Sequence, residues 1–259
     1  LKKGVISDYI SLNFVDRVFD APSLYTGFEN LMAVYGYSLQ IYCDFSGYSD
    51  IAIGIALWLG FRFNINFNFP YQSATITEFW RRWHISLSSW LRDYLYISLG
   101  GNRKGKLRTY INLLITMLLG GLWHGASLRF VIWGGLHGLA LALQKWLLSF
   151  VGFLRPTGEG MNPIVRFFSV ILTFHFVAFA WIFFRANSLS DAFGYIRRMV
   201  TKPDLWNLFN GELYNLGLDR VEMNVLFVSL LVLFLVDLIR YLKKQQMDAF
   251  LAEQNLWFR

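Results

Sequence analysis

The chain has 259 residues, 55% of them hydrophobic and 19% aromatic, with only 16% charged and a mean hydropathy of +0.39. Soluble globular domains carry roughly 25% charged residues, so the composition excludes an ordinary soluble domain and points to a multi-span membrane protein. The net charge of +7 does not indicate nucleic acid as a partner: the basic residues sit between apolar runs, where the positive-inside rule puts them, and no nucleic-acid module is visible.

Residues 1 to 30 mix polar and apolar side chains (Asp8, Asn13, Asp16, Arg17, Asp20, Pro22) and read as an amphipathic, interfacial approach. From Leu31 to Gly60 the chain is apolar but carries Asp44, Gly47 and Asp50. This pattern predicts a broken membrane helix, buried in protein or lining a cavity. Residues 61 to 71, with Asn64, Asn66, Asn68 and Pro70, read as a loop. Thr75-Ile76-Thr77-Glu78 fits a capping box. The helix it opens is expected to run to about Ser98, with Trp80, Trp83, Leu87, Leu91 and Tyr94 on one stripe and Arg82, Ser86, Ser89 and Asp93 on another face.

Arg103, Lys104, Lys106 and Arg108 make a glycine-rich basic loop and mark the cytoplasmic side. A short apolar segment, 107–122, leads to Gly120-Gly121-Leu122-Trp123-His124-Gly125-Ala126, and a re-entrant path that holds His124 at membrane depth fits that length. Three further segments, 128–150, 164–184 and 221–239, are long enough to span at roughly 20 residues per crossing. Arg240, Lys243 and Lys244 form a second cytoplasmic marker. Counting back from it puts 185–220 outside, 151–163 inside and the turn near His124 outside. The chain opens on Leu1-Lys2-Lys3-Gly4 rather than on a methionine, so residues 1–259 are expected to be the C-terminal part of a single membrane domain. The fold class is therefore all-α: a polytopic transmembrane bundle with re-entrant and interfacial helices.

Chemistry centres on the four histidines, His84, His124, His137 and His175. No pair has the i, i+4 spacing of a helical zinc site, and the single cysteine, Cys43, excludes a disulfide or a multi-cysteine metal site, so no bound metal is expected. A serine-hydrolase elbow of the form Gly-x-Ser-x-Gly is absent from the sequence. A neutral imidazole is cheaper at membrane depth than a charged side chain and can take a proton from an attacking hydroxyl. Two histidines can divide the work, one as base and one positioning the acceptor or stabilising the oxyanion. His137 is expected to pack among small residues, and His175 to make a packing or polar contact. Arg81 and Arg82 suit the phosphates of a donor or lipid headgroups, and Asp44 and Asp50 suit partners of buried arginines or the lining of a cavity. A transporter with a polar cavity remains a rival, because broken helices with buried charge serve transporters too; a non-enzymatic scaffold is a third reading.

Taken together, several segments are specific: Leu39-Gln40-Ile41-Tyr42-Cys43-Asp44-Phe45-Ser46-Gly47-Tyr48-Ser49-Asp50, Phe79-Trp80-Arg81-Arg82-Trp83-His84-Ile85-Ser86-Leu87-Ser88, Trp90-Leu91-Arg92-Asp93-Tyr94, Leu99-Gly100-Gly101-Asn102-Arg103, Gly121-Leu122-Trp123-His124-Gly125 and Trp181-Ile182-Phe183-Phe184-Arg185-Ala186. With them the chain resembles the membrane-bound O-acyltransferase superfamily, in its alginate O-acetylation branch. The related D-alanyl-transfer proteins of teichoic acid lack the Leu-Gly-Gly-Asn-Arg piece. The resemblance implies a helix bundle around a membrane tunnel in the bacterial inner membrane. It implies an O-acyltransferase with no bound cofactor, taking acyl groups from a cytoplasmic thioester such as acetyl-CoA toward an exported polysaccharide or a periplasmic acetyltransferase partner. It makes His124 the catalytic residue and His84 the second candidate; beside them, Arg81, Arg82, Trp123 and Asp44 are expected as substrate contacts. Ser98 and Cys43 depart from the family pattern, at positions away from the chemistry.

Overall fold

A computed structural model describes residues 2–150, 160–211 and 219–243, and among these every regular element is helical. The N-terminal arm alternates π-helical turns (Lys2–Ser7, Ser11–Val15) with α-helical ones, α1 (Asp8–Ile10) and α2 (Asp16–Asp20). It is amphipathic, as its sequence suggests, and it lays its apolar face (Ile6, Ile10, Phe14 and Val18) into the core beside Ala33, Val34 and Tyr37. Arg185, at the end of the later helix α8 (Pro163–Arg185), donates to Asp16 at 2.6 Å and lies over the Phe19 ring, which ties the arm to the bundle.

Thr26 opens α3 (Gly27–Trp58) with a complete capping box: its hydroxyl accepts from Glu29 N–H, and the Glu29 carboxylate accepts from Thr26 N–H. The expected break at residues 42–50 is absent. The helix runs unbroken for 32 residues, about 48 Å at ~1.5 Å per residue. Its two aspartates are neutralised from the arm, Asp44 by Lys3 and Asp50 by Lys2 at 3.0 Å, so they impose no break. Gly47 does not bend the chain either. It lets the arm approach, since a Cβ there would stand 3.0 Å from Lys3 N.

The reverse correction applies to the helix expected from residue 75 to 98. Thr75 caps α4 (Ile76–Arg82) by accepting from Glu78 N–H at 3.0 Å. The chain then breaks: Trp83 is extended and His84 adopts a left-handed conformation, φ 43° and ψ 57°. It resumes as α5 (Ile85–Trp90) and a π-helical stretch, Leu91–Tyr96. The stripe periodicity continues across the break, which is why the pattern reads as one helix. The break is held from outside by the asparagine loop: Asn68 N–H donates to Arg82 O and Ile85 N–H to Asn66 O, both at 2.9 Å. Glu78, 4% exposed, accepts from Ala74 N–H and pairs with Arg82 at 2.8 Å and Arg166 at 3.1 Å, clasping α4 to α8.

The basic loop turns tightly through Gly100, Gly101 and Gly105. Asn112 pins it by donating to the carbonyls of Leu99 and Gly101. The short segment expected at 107–122 is a helix of 18 residues, α6 (Lys106–Trp123), and it forms a hairpin with α7 (Leu128–Leu148). The hairpin closes because Gly121 and Gly134 face each other: a Cβ on Gly121 would overlap Phe130 O, and one on Gly134 would overlap Met117 O. Next come α8 (Pro163–Arg185), the amphipathic α9 (Leu189–Thr201), whose Tyr195 hydroxyl donates to Asn30 O at 2.8 Å, and α10 (Arg220–Lys243).

Of the described helices, Pro163–Arg185 alone is long and apolar enough to cross a membrane, with a mean hydropathy of 2.2 over its best window; Met223–Val232 forms a shorter apolar run within α10. The core is aromatic, built where Trp83, Trp133 and Trp181 meet. The stretch expected inside at 151–163, part of the 185–220 loop and the marker Lys244 lie partly or wholly outside the described residues.

Candidate active site

His124 stands at the C-terminal end of α6, its N–H donating to Gly121 O at 3.0 Å. The imidazole is half-buried and ringed by Trp123, Trp133, Phe130 and Phe184, with centroids 5.0 to 6.3 Å away. Neither ring nitrogen has a side-chain hydrogen bond within the described residues, so both are available to a reactant. Gly125, φ 157°, lets the chain turn over Phe130, leaving the ring at the mouth of the hairpin.

His84 occupies the break between α4 and α5. Its ring packs edge-on against Phe45 at 4.6 Å, and its Nδ1 lies 3.3 Å from both Asn66 Oδ1 and Ser86 Oγ. The two histidines lie within electrostatic reach of each other. They are linked through the aromatic core: Trp83, next to His84, packs on Trp181, which stacks on Trp133, which meets the His124 ring edge-on at 5.3 Å. A pocket of about 630 Å³ lies against His84 and against Trp123, the neighbour of His124. His84, Ser86 and Trp123 line it, and Leu87, Trp90, Leu91 and Tyr94 supply an apolar wall. A pocket of this kind, apolar with few polar groups, fits a small acyl donor or an acceptor chain end.

The other expected contacts are placed differently. Arg82 is engaged by Glu78 and by Asn68 O, while Arg81 is exposed, and neither lines the pocket. Asp44 is paired with Lys3 and does not line the pocket. Trp123, 64% exposed, does line the pocket and touches the His124 ring. His137 is fully buried, and it sits among Phe79, Trp80, Trp133 and Phe176 rather than among small residues, because Gly134 and Gly138 serve the α6 contact instead. Its Nδ1 accepts from Trp80 Nε1–H at 3.3 Å. His175 makes a polar contact, with the Tyr35 hydroxyl 2.8 Å from its Nε2. Sequence reasoning missed Asn66 and Ser86, which surround His84. The signal was present as an asparagine at every second position of the 64–68 loop, a donor-and-acceptor residue repeated next to a chemical motif.

Residues 13–184 match the sequence profile of the membrane-bound O-acyltransferase family. Over 229 residues the chain is 44% identical to a probable alginate O-acetylase AlgI of Pseudomonas fluorescens, covering 88% of this chain and 43% of that protein. It is 43% identical over 199 residues to a peptidoglycan O-acetyltransferase of Helicobacter pylori, 77% of this chain and 36% of that one. Identity to a teichoic acid D-alanyltransferase of Bacillus subtilis is 31% over 166 residues, 60% and 40%. The chain thus spans less than half the length of these relatives.

Proposed function

The chain belongs to the membrane-bound O-acyltransferase family, and from that premise we propose that it carries the histidine pair of an O-acetyltransferase acting in the bacterial inner membrane. The donor is a cytoplasmic thioester such as acetyl-CoA, and the destination is an exported polysaccharide or a periplasmic transferase partner. The observation that carries this reading is the placement of His84 and Trp123 on one pocket, with His124 against Trp123.

In this mechanism the acceptor hydroxyl enters the pocket and His124 takes its proton as the oxygen attacks the thioester carbonyl carbon. The tetrahedral intermediate collapses, the C–S bond breaks, and the leaving thiolate takes the proton back from His124. His84 holds the acceptor from the other side of the pocket, through a hydroxyl next to the reacting one. The apolar wall excludes water, which would otherwise compete as acceptor and hydrolyse the thioester. The basic loop at 103–108, outside the pocket, attracts the anionic donor over a distance.

Membranes carrying the full-length gene product, supplied with radiolabelled acetyl-CoA, are expected to release CoA and to lose this activity in His124→Ala. A wild-type rate of CoA release in that variant contradicts the reading. The same assay separates an acyltransferase from a transporter, which spends no donor.

A further inference from the structure

The oxygen atoms around His84 bear on which of its nitrogens carries the proton. Asn66 presents one side-chain atom to three groups: Ser86 N at 3.1 Å, Ser86 Oγ at 3.0 Å and His84 Nδ1 at 3.3 Å. A backbone N–H only donates, so the Asn66 atom is its carbonyl oxygen, Oδ1, and not the amide nitrogen. The Ser86 hydroxyl gives its proton to that same oxygen, leaving Ser86 Oγ as an acceptor toward His84 Nδ1, 3.3 Å away. Nδ1 therefore faces two oxygen acceptors. A bare lone pair there would confront both oxygens; an N–H satisfies both.

We propose that Asn66 is a positioning residue that holds His84 with its proton on Nδ1, so that Nε2 meets the substrate as a lone pair. Nε2 has no hydrogen-bond partner among the described residues, and His84 lines the pocket. In its neutral form His84 then accepts a hydrogen bond from a second hydroxyl of the acceptor, beside the one that His124 deprotonates, and does not donate to an oxyanion. The backbone serves the same end. Asn66 O accepts from Ile85 N–H at 2.9 Å, which holds the left-handed turn that aims the ring. A turn of this kind at a residue other than glycine is costly unless its surroundings fix it. Behind Asn66, its amide nitrogen lies 3.5 Å from Ser49 Oγ, in a small polar pocket shared with Lys2, Ser46 and Asp50.

The inference rests on the acyl-transfer reading, and its test compares Asn66→Ala, Asn66→Asp and His84→Ala in the full-length protein, with labelled acetyl-CoA as probe. Asn66→Ala is expected to lower turnover roughly tenfold or more, with the donor KM changed by less than about twofold. Asn66→Asp keeps the accepting oxygen and is expected to restore most of that turnover. Its carboxylate also favours the protonated ring, so the acidic limb of the pH–rate profile moves to higher pH. The other charged groups around His84 are His124 at the end of α6, the Lys2–Asp50 pair behind Asn66 and the Arg82–Glu78 pair on α4. They are common to all the variants, so the shift reports on position 66. Wild-type turnover in Asn66→Ala, or an unmoved acidic limb in Asn66→Asp, overturns the proposal. If Asn66→Ala does not accumulate in the membrane, the Asn66→Asp profile alone decides. A fully active His84→Ala overturns the underlying role of His84, whereas an inactive His84→Ala beside an unaffected Asn66→Ala overturns only the assignment made to Asn66.

Discussion

The two histidines of the proposed site are held in different ways. His84 is fixed by hydrogen bonds to a loop asparagine and by a left-handed turn. His124 is fixed by packing alone, in a cage of four aromatic rings. Substituting the cage should therefore loosen His124 while sparing His84. Phe184→Ala removes one wall that touches both His124 and Trp133, and it is expected to lower the acetyl-transfer rate with the protein still present in the membrane at wild-type amount, as quantitative blotting will show. Both histidines stand out in the sequence as candidates, His124 in an apolar run flanked by glycines and His84 in the Arg-Arg-Trp-His segment that carries the family resemblance. The support of His84 is not legible, since Asn66 stands eighteen residues earlier in a stretch whose composition says only that it is a loop. Arg82 is occupied by an ion pair that the pattern does not show, because its acid, Glu78, reads in the sequence as part of a helix cap.

At the scale of elements, two errors mirror each other. Asp44, Gly47 and Asp50 suggest a break where the helix continues, because the lysines that neutralise the acids lie more than forty residues away on another element. The even stripe of residues 80–94 suggests continuity where the helix breaks, because the groups that stabilise the break lie on the 66–68 loop. Local periodicity reports neither kind of partner. The α6–α7 hairpin is the element most exposed to single substitutions. Gly121→Ala forces a methyl onto Phe130 O and is expected to cost about 1–3 kcal/mol, read as a lower melting temperature of the detergent-extracted protein. Gly54→Ala, with open space at its Cβ, is the control and should leave that temperature unchanged or slightly raised. Glu78→Gln separates two buried arginine contacts from their charge. It is expected to be more damaging, at about 3–5 kcal/mol, measured in the same melt.

For the whole molecule, composition and apolar runs point to an all-helical membrane protein but not to the bounds of all its helices. The relation among them comes from contacts no pattern reveals: the arm folded back on α3, Glu78 bridging α4 to α8, and Arg185 tying α8 to the arm. The aromatic core of Trp83, Trp181 and Trp133 lies between the histidines, and the fold sets His84 on the pocket and His124 against Trp123 in the pocket's lining. One measurement tests this most directly: the O-acetyl content of the exported polysaccharide in cells whose gene carries His124→Ala, with the variant protein present in the membrane at wild-type amount. Loss of the acetyl groups is the predicted result. Acetylation at the wild-type level would contradict the claim that this histidine performs the transfer.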